Sequence, residues 1–185
     1  VVLLVSGCLA WAGSQGSFYI PPVPLFAICA SIGFLLHWVV FIPSFIFQTE
    51  HYFDLTGSVS YITTVAVAAI MHPSLDPRGF IICVLISIWA ARLGSFLFVR
   101  VKRAGKDRRF DEMKKRFWRY LFTFTLAGAW VFITMAAGLA AITSMSQRPL
   151  GIWLAIGMLL WVVGFVIEVI ADQQKTQFRK DPDNA

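Results

Sequence analysis

Charged residues are scarce in this sequence. Only 14% of its 185 residues are Asp, Glu, Lys or Arg, whereas a soluble domain carries about 25%. The mean hydropathy is +0.71, and several apolar runs approach the ~20 residues that span a bilayer. These features exclude an ordinary soluble domain and predict an all-α, polytopic transmembrane helical bundle.

Cysteine and the common catalytic motifs are scarce as well. Cys8, Cys29 and Cys83 lie in apolar runs without the spacing of metal ligands, and an odd number argues against a disulfide framework. The sequence has no glycine-rich nucleotide loop and no Ser-His-Asp order. We therefore expect no metal site. His37 lies within an apolar run, where a hydrogen-bonded core histidine is the first interpretation and a pigment ligand is the alternative.

The apolar runs predict five full spans and a partial one at the N-terminus. Turn-forming stretches such as GSQGS, HPSLDPRG and SQRPLG separate them. The partial span covers residues 1–12, and the full spans lie at about 25–47, 55–71, 80–101, 120–145 and 152–170. The last continues as a polar helix to Phe178. Residues 1–185 are thus predicted to form a single transmembrane domain, and both blunt ends suggest a fragment.

Positive charge is concentrated in one loop. Ten of the sixteen Lys and Arg lie between Arg100 and Arg119, and basic residues accumulate in cytoplasmic loops. The loop therefore predicts its own side as the cytoplasmic one, and span counting places residues 48–54 and the tail after Ala171 there too. Its stretch DRRFDEMKKRFWRY predicts an interfacial helix. Phosphate binding stays open as an additional role, and no nucleic-acid partner is expected.

Three groups of residues are candidates for chemistry. Arg92 lies deep in the fourth span, where a charge needs a partner, so it predicts either a structural ion pair or a ligand cavity. Glu168 and Asp172 are spaced to share one helix face, which predicts a solvated helix end, a pair with Arg92 or a polar ligand site. Glu50 belongs to a polar cluster after the second span that could serve acid–base work or be an ordinary interfacial loop.

Three stretches carry a resemblance to a known family. They are FQTEHYFDLTGSVSYIT, IWAARLGSFLFVRVKRAGKDRRFD and GFVIEVIADQQKTQFRKDPDNA. Together they resemble the steroid 5-alpha-reductase-like membrane family, in particular its branch of unknown function, over about residues 44–185. The resemblance implies a bundle of about seven helices, NADPH in a cytoplasm-facing cavity, and reduction of a carbon–carbon double bond conjugated to a ketone.

The resemblance also implies roles for individual residues. Asp172 matches a cofactor-contacting Asp, and Glu168 stands where the family has Asn. Arg103 and Arg179 match phosphate-contacting arginines. Arg92, whose ligand cavity is predicted from its depth in the span and not from the resemblance, is the further cofactor-binding candidate. In the catalytic positions, Glu50 is the candidate for holding the substrate carbonyl, and Trp89 replaces a carbonyl-binding Tyr. The family continues into a segment with a Ser-Arg-His-Pro-like motif that has no match here, so we expect an incomplete NADPH site.

A second hypothesis belongs to another class of protein. In it the chain is a non-catalytic accessory subunit of a larger membrane complex, photosynthetic or respiratory, that contacts lipids, pigments or neighbouring subunits. Membrane lipids are expected partners under either hypothesis. The presence or absence of a complete cofactor site would separate the two.

Overall fold

The computed structural model describes residues 1–104, 107–146 and 148–178. Within these residues the secondary structure is almost entirely α-helical, with one two-stranded hairpin. Helices α1 and α2 flank the short strands β1 and β2, and four further helices follow. The bounds are α1 Val2–Gly13, β1 Tyr19–Ile20, β2 Val23–Pro24, α2 Leu25–Ile46, α3 Phe53–Met71, α4 Pro77–Ala104, α5 Phe117–Thr143 and α6 Ile152–Phe178.

Five of the described helices, α2 to α6, are long and apolar enough to cross a membrane, and α1 is shorter. This confirms the predicted bundle of five full spans and a partial one. The chain divides into two compact units, Val1–Arg148 and Pro149–Ala185. The first contains α1 to α5, and the second contains α6. The prediction of a single domain remains a prediction.

Local sequence explains where the helices begin. Leu25 follows Pro24, whose backbone is extended, and α4 begins with Pro77 at the first helical position, where the missing N–H is no loss. Asp76 precedes it and accepts the backbone N–H of Gly79 through Oδ1 at 2.6 Å, which caps the helix. The hairpin β1–β2 was not predicted, because its strands are only two residues long.

The interior of the first unit depends on small residues where helices approach closely. A Cβ added to Gly33 of α2 would lie 3.2 Å from the backbone oxygen of Gly128 of α5. Such close approach is typical of membrane helices. A cluster of buried aromatic residues fills one end of the bundle and consists of Phe41, Phe110, Tyr120 and Phe124.

The loops of the first unit gather at two opposite ends. At one end, Phe18 donates its backbone N–H to Thr143 at 2.7 Å, and His72 Nε2 lies 3.2 Å from the Ser144 oxygen. At the other end, the α2–α3 loop contacts the chain that follows α4. This confirms that residues 48–54 and the basic loop share one end, which we call the basic end.

The predicted interfacial helix over DRRFDEMKKRFWRY is wrong for its first part. Residues Arg108–Phe110 form one 3-10 turn, hydrogen-bonded turns continue to Arg116, and α5 begins only at Phe117. Phe110 is 4% exposed and packs 4.8 Å from the ring of Phe53. Burial of this side chain draws the segment down onto the bundle instead of leaving it in the interface as a helix.

Candidate functional site

Glu50 joins two separate stretches of the basic end. Its side chain is 2% exposed in the loop between α2 and α3. Oε1 accepts the backbone N–H of Asp107 at 2.9 Å, and Oε2 accepts Lys114 Nζ at 2.8 Å. The carboxylate therefore fixes the position of the segment between α4 and α5, which we call the basic segment (residues 107–116).

The protonation state of Glu50 follows from these contacts. Burial raises the pKa of its carboxyl group, but the hydrogen bonds from Lys114 and from the Asp107 backbone, together with the charge of Lys114, outweigh burial and leave the pKa below its ordinary value. Glu50 is therefore ionised at neutral pH. An ionised carboxylate only accepts hydrogen bonds.

Two more acidic residues at the basic end, Asp107 and Asp54, bind arginine side chains. Asp107 accepts Arg109 Nε at 2.9 Å, and this hydrogen bond lowers the pKa of Asp107. Asp54, in the first turn of α3, accepts Arg100 Nη2 of α4 at 3.4 Å. Arg116 and Arg119 are exposed and make no ion pair with another described residue. The basic end thus combines internally paired charges with exposed cations.

A line of polar residues runs from the basic end into the bundle between α3 and α4. Asp54, Ser58 and Tyr61 follow each other by four and three residues, so they share one face of α3. Each of them contacts α4. Asp54 pairs with Arg100, and the Tyr61 ring lies edge-on to the Trp89 ring, with 5.0 Å between the ring centres. Ser58 packs so closely on Gly94 that a Cβ added to Gly94 would overlap the Ser58 side chain. We call this line the polar seam.

Tyr61 places a hydroxyl group at the inner end of the polar seam. Its side chain is 6% exposed, and its oxygen lies 2.5 Å from Thr134 Oγ1 of α5. Trp89 packs against this phenol ring. The predicted site residue Trp89 is therefore next to a tyrosine. The resemblance implies a tyrosine at position 89 itself, whereas here the tyrosine is Tyr61 on α3.

Arg92 lies one turn beyond Trp89 on α4 and is partly buried. Its guanidinium lies 5.5 Å from the centre of the Phe96 ring, and the Ser95 hydroxyl donates to the Arg92 backbone oxygen. A cation over an aromatic face is stabilised by the ring quadrupole. The predicted carboxylate pair or ligand cavity at Arg92 stays a prediction.

Glu168, Asp172, Arg103 and Arg179 are the remaining cofactor candidates. Glu168 and Asp172 are one turn apart on α6, as predicted, and both are partly buried. The Thr176 hydroxyl donates to the Asp172 backbone oxygen at 2.7 Å. Arg103 is in the last turn of α4, but its side chain is outside the described part of the chain, and so is all of Arg179. Among the described residues, no group of His, Cys, Asp or Glu side chains could hold a metal ion.

Sequence reasoning missed several residues of this arrangement. Lys114 and Asp107 were seen only as members of a charged run, because their contacts with Glu50 bridge 64 and 57 residues. Tyr61 and Thr134 are 73 residues apart. The spacing of Asp54, Ser58 and Tyr61 was a usable signal, since polar residues at helical spacing inside an apolar span are unusual.

A sequence-family model described as "Protein of unknown function (DUF1295)" matches residues 40–185. Neither a curated protein nor a solved structure matches the chain. The matched range contains the polar seam, the basic segment and α6.

Proposed function

The chain belongs to the DUF1295 family, and from that premise we propose that it is an NADPH-dependent membrane reductase. Its substrate would be a lipophilic enone such as a steroid, and the reduced bond would be the carbon–carbon double bond next to the ketone. The resemblance of three of its segments to steroid 5-alpha-reductase-like proteins supplies the reaction type. NADPH would supply the hydride, and the protein would supply binding, orientation and electrostatics.

The polar seam is the observation that supports this proposal best. It begins at the basic end with Asp54 and Arg100. It ends inside the bundle with the hydrogen-bonding group of Tyr61, beside Trp89. Phosphate groups need cations, whereas reduction of an enone needs a hydrogen-bond donor for the oxygen on which negative charge develops. A seam with these two ends suits both requirements.

The cations of the basic end fit the phosphates of NADPH. Arg116 and Arg119 are exposed there, and guanidinium groups bind phosphate in a bidentate manner. In the proposal they act with Arg103, and Arg92 lines the same cavity. The resemblance separately gives Arg179 a phosphate-contacting role and places Glu168 and Asp172 at cofactor-contacting positions.

Glu50 has a positioning role in this proposal. As an ionised acceptor held by Lys114, it fixes the basic segment that carries Lys114 and leads into Arg116. A contact between Glu50 and a substrate carbonyl requires a protonated carboxyl group and the departure of Lys114. That catalytic role, like the one for Trp89, stays a prediction.

Binding of NADPH to the whole chain in nanodiscs tests the proposal. We expect Asp172→Ala and Arg179→Ala each to weaken binding roughly tenfold, the effect of losing one hydrogen bond to a charged group. Arg148→Ala is the matched control, because Arg148 lies at the opposite end of the first unit, where its backbone N–H reaches Asp76. Because the expected site is incomplete, wild type should bind NADPH only weakly. No binding at all, or variants that bind like wild type, would contradict the proposal.

A further inference from the structure

The hydroxyl groups of Tyr61 and Thr134 form a polar pair within the membrane-spanning helices, at the inner end of the polar seam. Tyr61 is buried, whereas Thr134 is exposed on the surface of α5. Their oxygens are 2.5 Å apart. The pair therefore reaches from the inside of the bundle to the exposed surface of α5.

The direction of these hydrogen bonds can be assigned. Thr134 Oγ1 lies 2.7 Å from the Trp130 backbone oxygen, which can only accept, so the threonine proton points there. Tyr61 must then donate to Thr134 Oγ1. In an α-helix the Trp130 oxygen also accepts a backbone N–H, so it keeps a partner when the threonine hydroxyl turns away. Thr134 can thus redirect its proton at little cost, and the bond from Tyr61 strengthens it as a donor.

The depth of Thr134 limits which molecules can reach it. It lies nine residues before the end of α5 at Thr143, which is about 14 Å at 1.5 Å per residue. The hydrocarbon core of a bilayer is about 30 Å thick, so Thr134 is near its middle, away from phospholipid headgroups. A carbonyl oxygen at that depth belongs to a molecule dissolved in the hydrocarbon region.

The surface next to Thr134 suits a flat apolar ligand. Trp130 is 67% exposed and lies one helical turn before Thr134, on the same face of α5. Its indole offers a broad apolar wall beside the hydroxyl. A fused-ring or terpenoid ketone would meet both the wall and the donor.

We propose that Thr134, backed by Tyr61, donates a hydrogen bond to the carbonyl oxygen of a lipophilic ketone that arrives laterally from the bilayer. This rests on the proposed function, because the ketone would be the enone substrate. It adds that the substrate enters through the membrane face of α5, next to Trp130. It also assigns the donor that an ionised Glu50 cannot supply.

Equilibrium binding of radiolabelled cholest-4-en-3-one to the whole chain in nanodiscs, without NADPH, tests the site. Wild type should bind saturably and should prefer the ketone over cholest-4-ene, which lacks the oxygen. Thr134→Val keeps the side-chain shape and should weaken ketone binding about tenfold, while Tyr61→Phe should weaken it about threefold because it acts through Thr134. Ser31→Ala is the control, since Ser31 is also exposed and bonded to its own helix, and it should bind like wild type.

Each outcome separates this site from the reductase itself. Equal binding by wild type and Thr134→Val, or equal binding of ketone and hydrocarbon, would overturn the site even if NADPH binds. Variant-sensitive ketone binding in a chain that binds no NADPH would keep the site and overturn the reductase. Thermal unfolding of each variant in the same nanodiscs checks that it remains folded.

Discussion

The buried carboxylate of Glu50 is stabilised by its ion pair with Lys114. Lys114→Met would leave this carboxylate buried without its charge partner, and removing one member of a buried pair costs about 3 kcal/mol. We expect a clear drop in the thermal unfolding midpoint in detergent. The matched control is Lys115→Met, because Lys115 pairs with Glu112 on the surface, where both side chains are more than half exposed.

A double variant tests whether the unpaired charge of Glu50 causes the loss of stability in Lys114→Met. In Glu50→Gln with Lys114→Met, no charge is left buried, and the Gln oxygen can still accept the Asp107 N–H. This chain should unfold at a higher temperature than Lys114→Met alone. If the double variant is no more stable than the single one, packing of the lysine stem and not the ion pair holds the basic segment.

The pH dependence of stability follows from the lowered pKa of Glu50. A group whose pKa is lower in the folded state stabilises the fold above its ordinary value, here 4.5, and this contribution is lost as the pH falls through the folded-state pKa. We therefore expect wild type to lose stability on acidification below about pH 5, and Glu50→Gln to lose less. Parallel slopes in unfolding measured between about pH 6 and about pH 3 would contradict this assignment.

At the scale of the residue, the sequence offered candidates but not their partners. Glu50 was a candidate because of its polar cluster, Asp172 because of its spacing from Glu168, and Trp89 because of the resemblance, and their roles stay predictions. The partners Lys114 and Thr134 were not, because contacts across more than sixty residues depend on how helices pack. Periodicity within one helix contains no such information.

At the scale of the element, the close contact of α3 and α4 depends on Gly94. A Cβ at this position would overlap the Oγ and Cβ of Ser58, so Gly94→Ala should push the helices apart and cost about 1–3 kcal/mol. Gly57→Ala is the matched control, since nothing lies within 4 Å of a Cβ at Gly57. Unfolding in mild detergent measures both.

A compensating substitution identifies the contact that matters. Ser58→Gly, introduced together with Gly94→Ala, moves the Cβ from one helix to the other and should recover part of the lost stability. No recovery, with Ser58→Gly harmless alone, would mean that the added methyl group clashes elsewhere.

The helices themselves were predictable, whereas the basic segment was not. Runs of about 20 apolar residues have few alternatives to a spanning helix, since every backbone group needs an internal partner in lipid. For residues 107–116, alternating charges and aromatic residues suited a helix equally well. Burial of Phe110 and the two contacts of Glu50 favour turns over a helix in this segment, and both depend on how the rest of the bundle packs.

At the scale of the whole molecule, the two ends of the first unit differ in charge. The basic end includes the loop that holds ten of the sixteen Lys and Arg. The opposite end, where Phe18, His72 and Ser144 meet, has few basic residues. An asymmetry of this size orients a membrane protein, because positively charged loops are retained on the cytoplasmic side.

Labelling of single added cysteines tests that orientation. Lys115→Cys places an exposed thiol at the basic end, and Ser146→Cys places one at the opposite end. In intact cells an impermeant maleimide should label only Ser146→Cys, and Lys115→Cys should become labelled after permeabilisation. The unsubstituted chain is the control for labelling of its own cysteines, of which Cys29 and Cys83 are buried and Cys8 is exposed. Labelling of Lys115→Cys in intact cells would put the proposed NADPH site on the side where cytoplasmic NADPH does not reach, so the orientation and the proposed reductase would fail together.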